Sequence, residues 1–116
     1  MNRIAVYGTL KKGRGNSFYL REAQHVGNGV TADKYRLCIT SLPYLLGEES
    51  NSGFNVKVEV YDINDTTFNA VDMLEGHPRF YRRRKTNIVL SDGKQTEAWV
   101  YFVGSGYDNC IYHEEY

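Results

Sequence analysis

The chain has 116 residues, enough to bury one hydrophobic core without staples, and the natural reading is a single domain spanning 1–116. Lysine plus arginine and aspartate plus glutamate number 14 each, so no net field draws the protein to nucleic acid or to an anionic membrane; a small neutral or zwitterionic ligand suits it better. No segment approaches the length of a membrane span, and Met1 to Tyr7 enters a strand pattern directly rather than a leader-like apolar stretch, so a soluble, cytoplasmic protein is expected.

Residues 3–7 form a short β-branched and aromatic run that stops at Gly8, and Gly13 and Gly15 mark the loop after it. That loop lacks the Gly-Lys-Ser/Thr ending of a phosphate loop. Asn16 or Ser17 is placed to cap a helical segment through 18–23, after which Val26 to Thr40 reads as extended chain broken by Gly27 and Gly29. Cys38 alternates with apolar neighbours and belongs in a core. Its great distance from Cys110, with no paired spacing, supports neither a zinc site nor a disulfide framework. Residues 42–47 read as an apolar loop and 48–53 as an exposed turn.

Phe54, Val56, Val58 and Val60 alternate with Asn55, Lys57, Glu59 and Tyr61, the period of a strand with one buried face. A helix follows over 65–75, with Asp65 at its head and Gly76 just past its end, and Met73 and Leu74 are assigned to its core side. Extended runs over 80–90 and 96–103 meet at Asp92-Gly93, a dipeptide favoured in tight hairpins. The end, 104–116, is polar and tyrosine-rich and is expected to wander. The sum is an α+β, strand-dominated mixed β-barrel, rich in antiparallel pairs, with one or two helices packed outside.

One residue breaks the pattern. Phe68, Val71 and Glu75 fall at i, i+3 and i+7 of the 65–75 helix, so a carboxylate lies on the apolar stripe. A carboxylate turned inward without partners is driven toward its protonated form, and its pKa rises into the range useful to a general base. The alternative is a surface residue of the last turn at the edge of the stripe. Other candidates carry weaker signals. His77 has no His, Cys or Asp partner at ligand spacing, and no metal is expected. Arg82 to Lys85 alternate in direction along a strand and read as a solvated edge with one inward arginine.

Val6-Tyr-Gly-Thr-Leu-Lys-Lys-Gly13, followed by Asn16, resembles the N-terminal signature of the gamma-glutamylcyclotransferase-like proteins. Val58-Glu-Val-Tyr-Asp-Ile63 and Val71-Asp-Met-Leu-Glu-Gly-His-Pro-Arg-Phe-Tyr-Arg82 look like their second block, with Val71 where a leucine is usual, and Glu97 to Tyr101 resembles their closing strand. The resemblance spans residues 4–103 and is nearest the gamma-glutamylamine cyclotransferase branch. It implies an enzyme that converts a gamma-glutamyl amine or amide to 5-oxoproline and releases the amine, without metal, cofactor or covalent intermediate. Within it, Glu75 matches the catalytic glutamate and general acid/base. The loop Tyr7, Gly8, Thr9 and Leu10 would bind substrate through backbone N–H groups, and Tyr81 would line the pocket or hydrogen-bond Glu75. Val58, where family members often carry glycine, is expected to reshape the pocket wall. The resemblance leaves open the amine released, the oligomeric state, and the alternative of a non-catalytic ligand-binding or interaction module of the same fold.

Overall fold

Why this chain closes into a barrel is visible in the faces of its strands. A computed structural model describes residues 1–104 and 110–116. The strands are β1 (Asn2–Val6), β2 (Gln24–Thr31), β3 (Tyr35–Ile39), β4 (Pro43–Glu49), β5 (Lys57–Ile63), β6 (Tyr81–Leu90), β7 (Gln95–Val103) and β8 (Tyr112–His113); the one α-helix among the described residues is α1 (Asp65–Glu75). They form one sheet in the order β1-β5-β2-β6-β7-β4-β3-β8, and an additional parallel pairing of β1 with β7 at Ile4 and Trp99 closes a five-stranded barrel. The other barrel pairs are antiparallel, and β4 leaves the barrel from β7 through a second parallel contact, Leu46 with Val103.

Strands β1, β5 and β7 are buried on both faces. Ala5, Val58, Val60, Ala98, Val100 and Phe102 fill the barrel, while Ile4, Val6, Tyr61, Ile63, Trp99 and Tyr101 face outward into a second cluster with Phe68, Val71 and Leu74 of α1. A strand covered on both sides reads as a continuous apolar run rather than an alternation, which is the character of 4–7 and 98–103. The helix covers the barrel wall through the stripe its 3.6-residue period sets. Its cap is Asn64, one residue before Asp65: Asn64 Oδ1 accepts from the Thr67 N–H at 2.8 Å, whereas Asp65 accepts from the Asn2 amide at 2.7 Å. It ends where Gly76 turns left-handed at φ 67°, with the His77 N–H returning to Asp72 O at 3.0 Å.

Several expectations need correction. Residues 42–47 are not a loop: Pro43 to Glu49 form β4, held by pairing to β3, because Leu45 and Leu46 have a barrel flank to cover. Residues 18–23 make only a 3₁₀ turn at Ser17–Leu20, since the Asn16 side chain turns to Thr9 instead of capping a helix. Phe54 lies before β5 and is substantially exposed, while Val56, Val58 and Val60 are buried as the alternation requires. Met73 points to solvent; on a helix it falls opposite Phe68, Val71 and Glu75. Cys38 and Cys110 are joined in a disulfide that ties the chain's last stretch to β3, where β8 pairs. Distance along the chain hid that contact. The described part of the end, 110–116, is also anchored elsewhere: the Lys57 N–H donates to Glu114 O at 2.7 Å, and Lys11 Nζ to Tyr116 O at 2.8 Å.

Candidate active site

A pocket of about 180 Å³ opens between the last turn of α1, the loop leaving β1 and the start of β4. Tyr7, Gly8, Thr9, Leu10, Glu75 and Tyr81, the residues singled out in the sequence, all line it, together with Asn16, Leu42, Pro43, Leu74 and Tyr101.

The loop is a tight turn, with the Lys11 N–H donating to Gly8 O at 3.0 Å. Asn16 braces it twice: its N–H donates to Thr9 O at 2.9 Å and its side-chain amide to Thr9 Oγ1 at 3.0 Å. The N–H groups of Gly8, Thr9 and Leu10 have no acceptor among the described residues. Successive free N–H groups in a turn can form an anion-binding concavity, and these three residues line the pocket. Gly8 is needed for a reason the sequence did not show. A Cβ there would stand 2.7 Å from Pro43 Cγ, so β4 packs directly on the bare backbone.

Glu75 enters from the helix with no hydrogen-bond donor among the described residues, and burial lifts its carboxyl from 4.5 to about 7. The phenols around it are already committed. The Tyr7 hydroxyl donates to Tyr101 O at 2.8 Å, and the Tyr81 hydroxyl to Pro43 O at 2.8 Å, so Tyr81 lines the pocket and spends its one proton on β4 rather than on Glu75. The Tyr101 hydroxyl donates to Asp72. Burial pushes the Tyr7 phenol well above its usual value; burial, followed by the hydrogen bond to Asp72, does the same to Tyr101. Both stay neutral at physiological pH. Among these pocket residues, Glu75 is the one whose pKa lies near neutrality.

Asp72 precedes Glu75 by three positions. Burial alone would raise its carboxyl, but hydrogen bonds from Arg83 and Tyr101 outweigh burial and hold it below the usual range. Arg83 donates to it from Nε at 2.9 Å and Nη2 at 3.2 Å, with the guanidinium 4.2 Å over the Phe68 ring and 4.5 Å over Trp99. Arg83 is thus the inward arginine expected in 82–85, and this half of β6 is a solvated edge: it pairs with β7, while the pairing with β2 is confined to Ile88–Leu90. His77 Nδ1 accepts from the Arg83 N–H at 3.3 Å, and the described residues contain no cluster of three His, Cys, Asp or Glu that would hold a metal. Val58 faces the barrel interior and not this pocket, so its bulk adjusts the core rather than the pocket wall.

Three contributors escaped the sequence reading. Pro43 and Leu42 were placed in a loop, and Tyr101 was only one more aromatic residue in a buried strand. The Asp72–Arg83 fork links residues whose spacing carries no signal.

Residues 4–116 match the model of the family described as gamma-glutamyl cyclotransferase, AIG2-like. The chain is 41% identical over 103 residues to "Putative gamma-glutamylcyclotransferase MJ1514" of Methanocaldococcus jannaschii, covering 88% of this chain and 84% of that one. It is 31% identical over 106 residues to the human protein named gamma-glutamylaminecyclotransferase, covering 84% and 69%. Among solved structures, a mouse AIG2-like protein superposes with a TM-score of 0.92 at 27% identity, covering 100% of this chain and 88% of that chain.

Proposed function

We propose that this chain, which belongs to the gamma-glutamyl cyclotransferase, AIG2-like family, cyclises a gamma-glutamyl amide to 5-oxoproline and releases the amine, with Glu75 as general acid/base. The observation that carries this reading is the pairing, in one small pocket, of a carboxyl lifted to about 7 with a turn that offers three free N–H groups.

Each part answers a requirement of the reaction. The substrate's α-ammonium must lose a proton before its nitrogen can attack the γ-carbonyl, and a carboxyl that is half-ionised near neutrality can take it. The N–H groups of the Gly8–Leu10 turn are suited to hold the substrate carboxylate and the charge that develops on the carbonyl oxygen; one such donor is typically worth about 10²-fold or more. The protonated Glu75 then returns its proton to the departing amine, so one group serves both transfers. Nucleophile and electrophile belong to the same molecule, and the pocket's remaining task is to fold the glutamyl chain into attacking geometry. That Tyr7, Tyr81 and Tyr101 donate to protein acceptors leaves few free polar groups in the pocket walls to compete for the substrate.

Within this reaction a gamma-glutamyl amine, rather than a peptide, is the substrate class we favour. The human relative's name supports it. The test is incubation with a panel of gamma-glutamyl amines and gamma-glutamyl peptides, following 5-oxoproline. Release from an amine substrate supports the proposal in full, release from peptides alone corrects the substrate class, and binding without release gives the non-catalytic module.

A further inference from the structure

We infer that Asp72, Arg83 and Tyr101 form a positioning clamp that seats the last turn of α1, and so sets where the Glu75 carboxyl stands; this rests on Glu75 being the acid/base.

Arg83 of β6 and Tyr101 of β7 are direct partners across the antiparallel ladder, and both side chains reach the same carboxylate on α1. Asp72 is therefore gripped by a cross-strand pair: a fork from one strand and a hydroxyl from the next. The grip is itself immobilised, because the Arg83 guanidinium lies over Phe68 of the helix and Trp99 of the barrel. Apart from the exposed Asn2–Asp65 hydrogen bond at the opposite, N-terminal end of α1, the other contacts between the helix and the barrel, those of Phe68, Val71 and Leu74, are apolar. Apolar contact is non-directional and tolerates small slides and rotations, whereas a forked, charge-assisted hydrogen bond fixes orientation. Asp72 and Glu75 are three apart, on neighbouring positions of one helix face. Whatever locks the first locks the second, and Glu75 has no hydrogen bond of its own among the described residues to do it. The clamp also closes its own charges. Asp72 faces Arg83 and the Tyr101 hydroxyl, while Tyr7, Tyr81 and Tyr101 surround Glu75 in the pocket, so no net charge is aimed at the catalytic carboxyl.

Two variants test it without changing charge. Tyr101→Phe keeps the ring against the pocket and removes only the hydroxyl; Arg83→Lys keeps the cation and removes the fork. Turnover of a gamma-glutamyl substrate should fall about 10-fold or more in each, the scale of a small misplacement of a reacting group, with KM within about 3-fold of the parent. A second readout needs no substrate. Followed by carboxyl NMR, the Glu75 midpoint should move down from about 7 toward 4.5 as the loosened helix lets water reach it. Melting temperature identifies any variant that fails to fold, and the other then decides. A folded variant with parental kcat, or with an unmoved Glu75 midpoint, overturns the clamp. If Glu75→Gln itself retains turnover, the acid/base reading fails instead, and the two failures are told apart.

Discussion

Gly8 and Pro43 touch so closely that a single added carbon would collide: a Cβ on Gly8 meets Pro43 Cγ at 2.7 Å. The Gly8–Leu10 turn and the start of β4 are thus built on each other, and the Pro43 carbonyl also receives the Tyr81 hydroxyl. Gly8→Ala should destabilise the protein by about 1–3 kcal/mol, the usual cost of overpacking a filled site, and weaken substrate binding as the turn shifts. Combining it with Pro43→Ala removes the obstructing ring carbon, so the double variant should be more stable than an additive sum of the two single changes. Denaturant melts of the four proteins measure the coupling.

Thr9 is held through its hydroxyl. Thr9→Ser keeps the acceptor for Asn16 and should retain most activity, whereas Thr9→Val keeps the shape and removes the acceptor. The loss should be on the order of 1 kcal/mol, seen as a raised KM if the turn binds the substrate carboxylate. Equal KM values in the two variants would mean the brace does not support binding.

How far the sequence foretold this site depended on the kind of signal. Glu75 was legible because a carboxylate interrupts a 3.6-residue apolar stripe, and a helix has few ways to hide that; the end of β1 at Gly8 was legible from strand propensity. The hairpin at Asp92-Gly93 joins β6 and β7 as its turn chemistry requires. Contacts set by tertiary placement were not legible. Pro43 looked like a loop residue because β4 owes its strand pairing to β3, across the short connection 40–42, and to distant β7 rather than to local alternation. Cys38 and Cys110 meet only because β8 returns to β3. Met73 shows the reverse error: hydrophobicity alone placed it inside, although its position on the helix turns it to water.

The disulfide closes a loop spanning a sequence separation of 72. Cys110→Ser should lower stability by about 2–4 kcal/mol through greater freedom of the unfolded chain and release of the end from β3. The check is a melting temperature that falls with reductant in the parent and is insensitive to reductant in the variant.

The buried carboxyl predicts a pH signature in stability. The Glu75 pKa is higher in the fold, about 7, than its ordinary 4.5, so its favourable contribution is complete below 4.5 and is lost as pH rises through 7. Glu75→Gln cannot ionise. The variant should match the parent below about pH 4.5 and exceed it above pH 7, by at most about 3 kcal/mol and by less where pocket water solvates the carboxylate. Denaturant unfolding across pH 4 to 8 reads the difference directly; a constant offset would mean that Glu75 is not held at a raised pKa.

In the proposed reaction one carboxyl, Glu75, carries both proton transfers. The most direct test is single-turnover formation of 5-oxoproline by the parent and by Glu75→Gln, at saturating gamma-glutamyl amine and neutral pH. The variant should still bind the substrate but cyclise it about 10²-fold or more slowly. Cyclisation by Glu75→Gln at the parent's rate would contradict this role.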